Sequence, residues 1–189
     1  MVVALPTAME MVEEVTPDDT ELAKEVQVRY EFYLGQLKAM LADIPRKYQK
    51  KISIELCSNL AHCLTNSINF EIVKGLMDIQ HVTEKYLIHL RQKVTDKQLS
   101  ETAKALEGVP PSEHESIRSS MAGKHRKQLI DVDMKLVKQL DQKVAEQQET
   151  LEKAGFPGFY VTMSSAEIKV QIFLLDFILR LSKMEIPDS

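Results

Sequence analysis

The chain has 189 residues, 44 % hydrophobic and 28 % charged, enough apolar material for the core of one small domain. Its net charge of −4 argues against a nucleic-acid binder, which usually carries a basic stripe. Two cysteines are few for a secreted disulfide scaffold, and the longest strongly apolar stretch, VQIFLLDFILRL at 170–181, has 12 residues against the roughly 20 that span a bilayer.

Residues 1–15 lack a basic start, a long apolar run and a sustained period, so they read as a disordered tail and not as a secretory signal. A first helix is expected over 16–44. Thr16 can cap it, Pro17 suits its first position, and Asp18 and Asp19 favour the positive end of its dipole. Leu22, Val26, Tyr33, Leu37, Met40 and Ile44 give it one apolar face, and Pro45 stops it. A shorter helix follows within 47–65, starting at about 47 or 53, with Ile52, Leu56, Leu60 and Leu64 on one stripe. Cys57 and Cys63 lie about 240° apart around such a helix, too far for a disulfide or a shared metal. They read as reduced, mostly buried cysteines.

The stretch TNSINF (65–70) competes with helix for the backbone and reads as a turn. The third helix, 68–106, has Ile72, Leu76, Ile79, Tyr86 and Leu90 as its stripe. EGVPP (107–111) is the clearest break. A fourth helix over 112–154 opens on a possible capping box, Ser112 with Glu115, and is roughly 60 Å long. Ile130, Val137, Val144 and Leu151 recur every seven residues, while the companion positions read Asp133, Leu140 and Gln147. Such a half-polar seam fits a coiled coil of modest stability whose polar positions set register. Ser164 and Glu167 form a second possible capping box before a final helix at 165–184. Lys169, Asp176, Arg180 and Lys183 make one polar stripe on an otherwise apolar cylinder, which requires burial on several sides. Residues 185–189 read as a tail.

The fold class expected is therefore all-α, with five helices in one domain over 16–184. The two long helices form an antiparallel coiled-coil-like hairpin, and the C-terminal helix is buried. No phosphate-cradling Gly-rich loop, H-E-x-x-H or C-x-x-C motif occurs. His81 and His89 are about 80° apart on a helix and two turns distant, a poor pair of ligands. No catalytic residue, cofactor, metal site or small-molecule substrate is expected. The basic clusters PRKYQKK (45–51) and KHRK (124–127) read as solvated helix surface, so nucleic acid is an unfavoured partner.

Two motifs carry a family resemblance. FEIVKGLMDIQHVTEKYL (70–87) and LDQKVAEQQETLEKAGFPGFYVT (140–162) closely resemble the family named for DiGeorge syndrome critical region gene six, whose insect members are called gonadal protein. The likeness extends over residues from about 20 to 183 and is weakest over 95–135. It implies a developmental protein linked to gonads and to neural crest cell migration, found in nucleus and cytoplasm. It also implies a coiled-coil, non-enzymatic protein that binds other proteins, and it carries over no catalytic residue.

The function expected is a helical adaptor or scaffold that meets a protein partner or a second copy. The alternative is a nuclear factor associated with nucleic acid or chromatin, and a third reading is a small-molecule site in the 156–161 corner. Candidate partner-binding residues are Phe173, Leu174, Phe177 and Leu181 on the last helix, and Val137, Leu140 and Val144 on the fourth. The last-helix residues are equally readable as core. Leu151, Gly155, Phe156, Pro157, Gly158, Phe159 and Tyr160 form a structural corner, with Gly155 left-handed and Phe156 folded back on Leu151.

Overall fold

The structure is a computed structural model that describes residues 17–187. The expected tail at 1–15, the Thr16 cap and residues 188–189 lie outside the described residues. Among the described residues the chain is helical with no strand: α1 (Pro17–Asp43), α2 (Arg46–Gln49), α3 (Ile54–Leu64), α4 (Ile68–Leu106), α5 (His114–Lys153) and α6 (Ser165–Leu181).

Six helices replace the expected five because the second one is divided. Ser53 is extended (φ −72°, ψ 158°) and its hydroxyl accepts the Leu56 N–H at 3.0 Å, so it caps α3 and separates it from the single turn α2. Gln49 closes the end of α1 by donating to the carbonyls of Ala42 (3.1 Å) and Ile44 (2.7 Å). In the next turn Asn66 accepts the Ile68 N–H and Asn69 donates to the Cys63 carbonyl. Both cysteines are free, and burial raises the pKa of each thiol.

Neither capping box forms. Pro110 and Pro111 divert the chain into a short 3-10 turn at Pro111–Glu113, so α5 starts at His114 without a side-chain cap. Ser164 sits at the N-cap of α6 without capping it, and the Glu167 carboxylate turns outward to Lys51 and Tyr160. The last helix ends at Leu181 instead of 184, where the Ser182 hydroxyl folds back onto the Leu179 carbonyl.

One buried cluster unites the C-terminal part of α1, all of α3, the start of α4, the end of α5 and α6. Leu37, Leu60, Leu64, Val73, Leu174 and Ile178 are sealed from solvent. Fully burying each such side chain stabilises the fold by roughly 1.5–3 kcal/mol before entropy is counted. Leu22, expected on the α1 face, is exposed because the cluster begins further along that helix, at Tyr33.

Beyond this head, α4 and α5 continue as a two-helix arm. Gln147 meets Met77, Asp133 meets Arg91 and Gln128 meets Gln98. Numbers on α5 fall as those on α4 rise, so the pair is antiparallel.

Candidate interaction surface

Polar pairs share the contact between the two helices of the arm with apolar side chains. From α4, Arg91 clamps Asp133 with two bonds, Nε to Oδ1 at 2.8 Å and a terminal nitrogen to Oδ2 at 3.2 Å. Seven residues on, Gln98 donates to the His125 carbonyl and to Gln128. Gln147 donates weakly to the Met77 sulfur. Asp133 and Gln147, the polar members of the expected seam, thus face α4. Within the seam Leu87 is buried and Leu136, Leu140 and Val144 are half-buried. The bond to Asp133 and its negative charge raise the pKa of the exposed Arg91 guanidinium.

Large apolar side chains stand outside this seam. On one face Ile88 is 68 % exposed, Met134 60 % and Val137 55 %, with Ile130 beside them. Ile88, Arg91, Val137 and Leu140 line one groove on this face. A second cleft continues it toward the head, lined by Val144, Ile168, Ile172 and Leu179. On the opposite face Ile79, Val82 and Tyr86 are exposed. Ile79 and Tyr86 therefore leave the inward stripe expected of them. Alternate turns of α4 present apolar side chains on both sides of Leu87, and only one narrow line can meet α5.

The candidate residues of the last helix fall elsewhere. Leu174 is 0 %, Phe177 1 % and Leu181 1 % exposed, so they are core and no partner can touch them in this fold. Phe173 is half-buried, 5.2 Å from the Tyr48 ring, with the Lys169 ammonium over its face at 5.2 Å. The basic 45–51 cluster is likewise engaged: Lys47 lies over Tyr48, and Lys51 pairs with Glu167.

The corner has a Schellman geometry. Gly155 has φ +77°, its N–H donates to the Glu152 carbonyl, and the Phe156 N–H donates to the Leu151 carbonyl, both at 3.0 Å. Phe156 and Phe159 are buried, edge to face, 6.2 Å apart. Pro157 carries the chain into Gly158, at φ +84°, where the backbone lies against Leu174 and Leu56. Tyr160 is exposed and its hydroxyl donates to Glu167 at 2.8 Å. That bond, more than partial burial, raises its pKa.

Two buried glutamines were not singled out in the sequence. Gln148 donates to Gln171, Gln171 donates to the Tyr160 carbonyl, and Gln148 accepts the Thr162 N–H. They satisfy the extended backbone at 160–162, which has no strand partner. A glutamine inside VQIFLLDF was the available signal. Among the described residues no group of three or more His, Cys, Asp or Glu could hold a metal, and no helix is long and apolar enough to cross a membrane.

A helical arm with an apolar exterior, attached to a head closed by the GFPGFY corner, is the architecture on which the sequence comparisons fall. The family described as DiGeorge syndrome critical region 6 (DGCR6) protein matches residues 8–188. The chain belongs to that family. It is 44 % identical over 161 residues to Gonadal protein gdl of Drosophila melanogaster, a match spanning 85 % of this chain and 83 % of the fly protein. It is 32 % identical over 183 residues to Protein DGCR6 of Gallus gallus, spanning 87 % and 89 % of the two chains. No solved structure matches this DGCR6-family chain. The names of these relatives describe no reaction.

Proposed function

We propose that this DGCR6-family chain is a helical interaction protein, an adaptor or scaffold, that associates with a second copy of itself through the Ile88–Met134–Val137 face of the arm. One observation carries the reading: the arm spends Arg91, Gln98, Asp133 and Gln147 on its own seam and leaves isoleucine, methionine and valine outside. A monomeric hairpin would be more stable with that order reversed, since exposed apolar area contributes nothing and polar seams stabilise weakly.

The face also suits a like surface. On it Arg91 pairs with Asp133 on the arm and Arg180 with Asp176 at the edge of the head, and the Glu84 carboxylate accepts from the Gln80 amide. Two copies would meet mainly apolar to apolar. Two helices side by side over a length of roughly 40 Å offer about 800 Å² per partner, the area of a standard specific interface. The developmental setting that the family resemblance implies fits a protein that organises others and performs no chemistry of its own.

Co-expression of two differently tagged full-length copies tests this. Capture of one tag is expected to retain the other for the wild type and to lose it when both copies carry Met134→Glu and Val137→Glu. Retention undiminished by those charges would contradict the proposed face.

A further inference from the structure

The opposite face of the arm differs in charge. A groove between α4 and α5 has Val82 and Tyr86 on one wall and Lys135, Lys138 and Lys143 on the other, with buried Leu87 on its floor. Toward the head it continues past Ile79. Val82 is 67 % exposed and Tyr86 58 %, so both stand in solvent. Lys143 is neutralised by Glu146 at 2.6 Å. Among the described residues Lys135 and Lys138 have no hydrogen-bond or ion-pair partner. The groove therefore joins an uncovered apolar wall to two uncompensated positive charges.

We propose that this groove docks an acidic amphipathic helix of a partner protein, its apolar face on Val82 and Tyr86 and its carboxylates against Lys135 and Lys138. From Lys135 to Lys143 the groove runs roughly 12 Å, or about two helical turns, which matches anchors at i, i+3, i+4 and i+7. The apolar wall favours a helix over nucleic acid, since a phosphodiester backbone gains nothing from Val82 and Tyr86, whereas a Leu-bearing helix gains on both walls. The proposal rests on the interaction reading above and adds a second, charge-selected partner to it.

The test uses the full-length chain and a fluorescein-labelled designed helix carrying Leu at i, i+3, i+4 and i+7 with Glu on both flanks. Controls are the same helix with Lys in place of Glu, and a single-stranded DNA oligonucleotide. Fluorescence anisotropy is expected to show the acidic helix binding with a dissociation constant of about 10 μM, weakening as salt is raised. The Lys version and the DNA are expected not to bind in that range.

Lys135→Glu with Lys138→Glu should weaken the acidic helix at least about tenfold, because two attractions become repulsions. Circular dichroism identical to wild type establishes that the doubly reversed chain is folded. Equal binding of the Glu and Lys helices, tighter binding of DNA, or affinity unchanged in the double variant would overturn the proposal. Neither lysine lines the Ile88–Val137 groove, so tag-to-tag capture is expected to survive their reversal. A wild type that fails to bind the acidic helix while tag-to-tag capture is intact sinks this inference alone.

Discussion

The side-chain amide of Gln148 on α5 donates to the amide oxygen of Gln171 on α6 at 2.9 Å, with both residues 4 % exposed. Each glutamine also serves backbone, Gln171 through the Tyr160 carbonyl and Gln148 through the Thr162 N–H. This buried network replaces a strand partner for the segment that connects the two helices.

Replacing Gln171 by Leu keeps the volume and removes the network's centre, taking a donor from the part-buried Tyr160 carbonyl and leaving the buried Gln148 amide nitrogen without its acceptor. The expected cost is about 2 kcal/mol, a fall of about 1 M in the urea midpoint for an m-value near 2 kcal/mol/M. An unchanged midpoint would show that the network contributes nothing.

The glycines are predicted to separate into three kinds. At Gly158, φ is +84° and an added Cβ would lie 2.8 Å from Leu174 Cδ1, so Gly158→Ala should cost about 1–3 kcal/mol from strain and more from the collision. At Gly155, φ is +77° in open space, so Gly155→Ala should cost only about 1 kcal/mol. Gly123 lies within α5 with nothing near its missing Cβ, so Gly123→Ala should stabilise by about 0.5–1 kcal/mol. Thermal melts of the three variants check the order.

Glu167 gives the fold an acid sensitivity of defined sign. Hydrogen bonds from Lys51 first, and from Tyr160 second, hold its carboxyl below the ordinary value. A folded pKa below the unfolded one contributes stability that is complete above the unfolded value, about 4.3, and is lost as pH falls through the folded value. The stability gap between wild type and Glu167→Gln should hold steady above that range and close below it. Denaturation curves on both sides of it read the gap, and one that persists in acid would contradict the assignment.

Core and surface are predicted to part sharply. Phe177→Ala should cost about 3–5 kcal/mol and Leu174→Ala about 2–5 kcal/mol, since both are sealed in the core. Met134→Glu, on the exposed face, should change the monomer's stability by no more than about 0.5 kcal/mol. Urea denaturation at a concentration low enough to keep the chain monomeric makes the comparison.

The all-α class was legible because Pro45, the EGVPP break and Gly155 punctuate long amphipathic runs. The α6 cylinder, apolar on all but one stripe, announced its burial. Helix starts were less legible: Ser112 and Ser164 carry capping-box spacing, yet neither caps, because Pro110 and Pro111 set the first start and Glu167 has better partners in Lys51 and Tyr160. The arm was the least legible part. Ile79 and Tyr86 share a period with true seam residues, and periodicity does not say which of two neighbouring stripes meets the partner helix. Arg91 and Asp133 decide that choice through a pairing 42 residues apart, which no local pattern contains.

Coverage of the Ile88–Met134–Val137 face by a second copy makes the mass of the particle depend on concentration. Light scattering coupled to size-exclusion chromatography measures it most directly. Over a range of concentrations the wild type should rise from the chain mass of 21.6 kDa toward twice that value, while the chain carrying Met134→Glu and Val137→Glu should stay at 21.6 kDa. A wild type that remains at the single-chain mass throughout, or a charged variant that associates as well as the wild type, would contradict it.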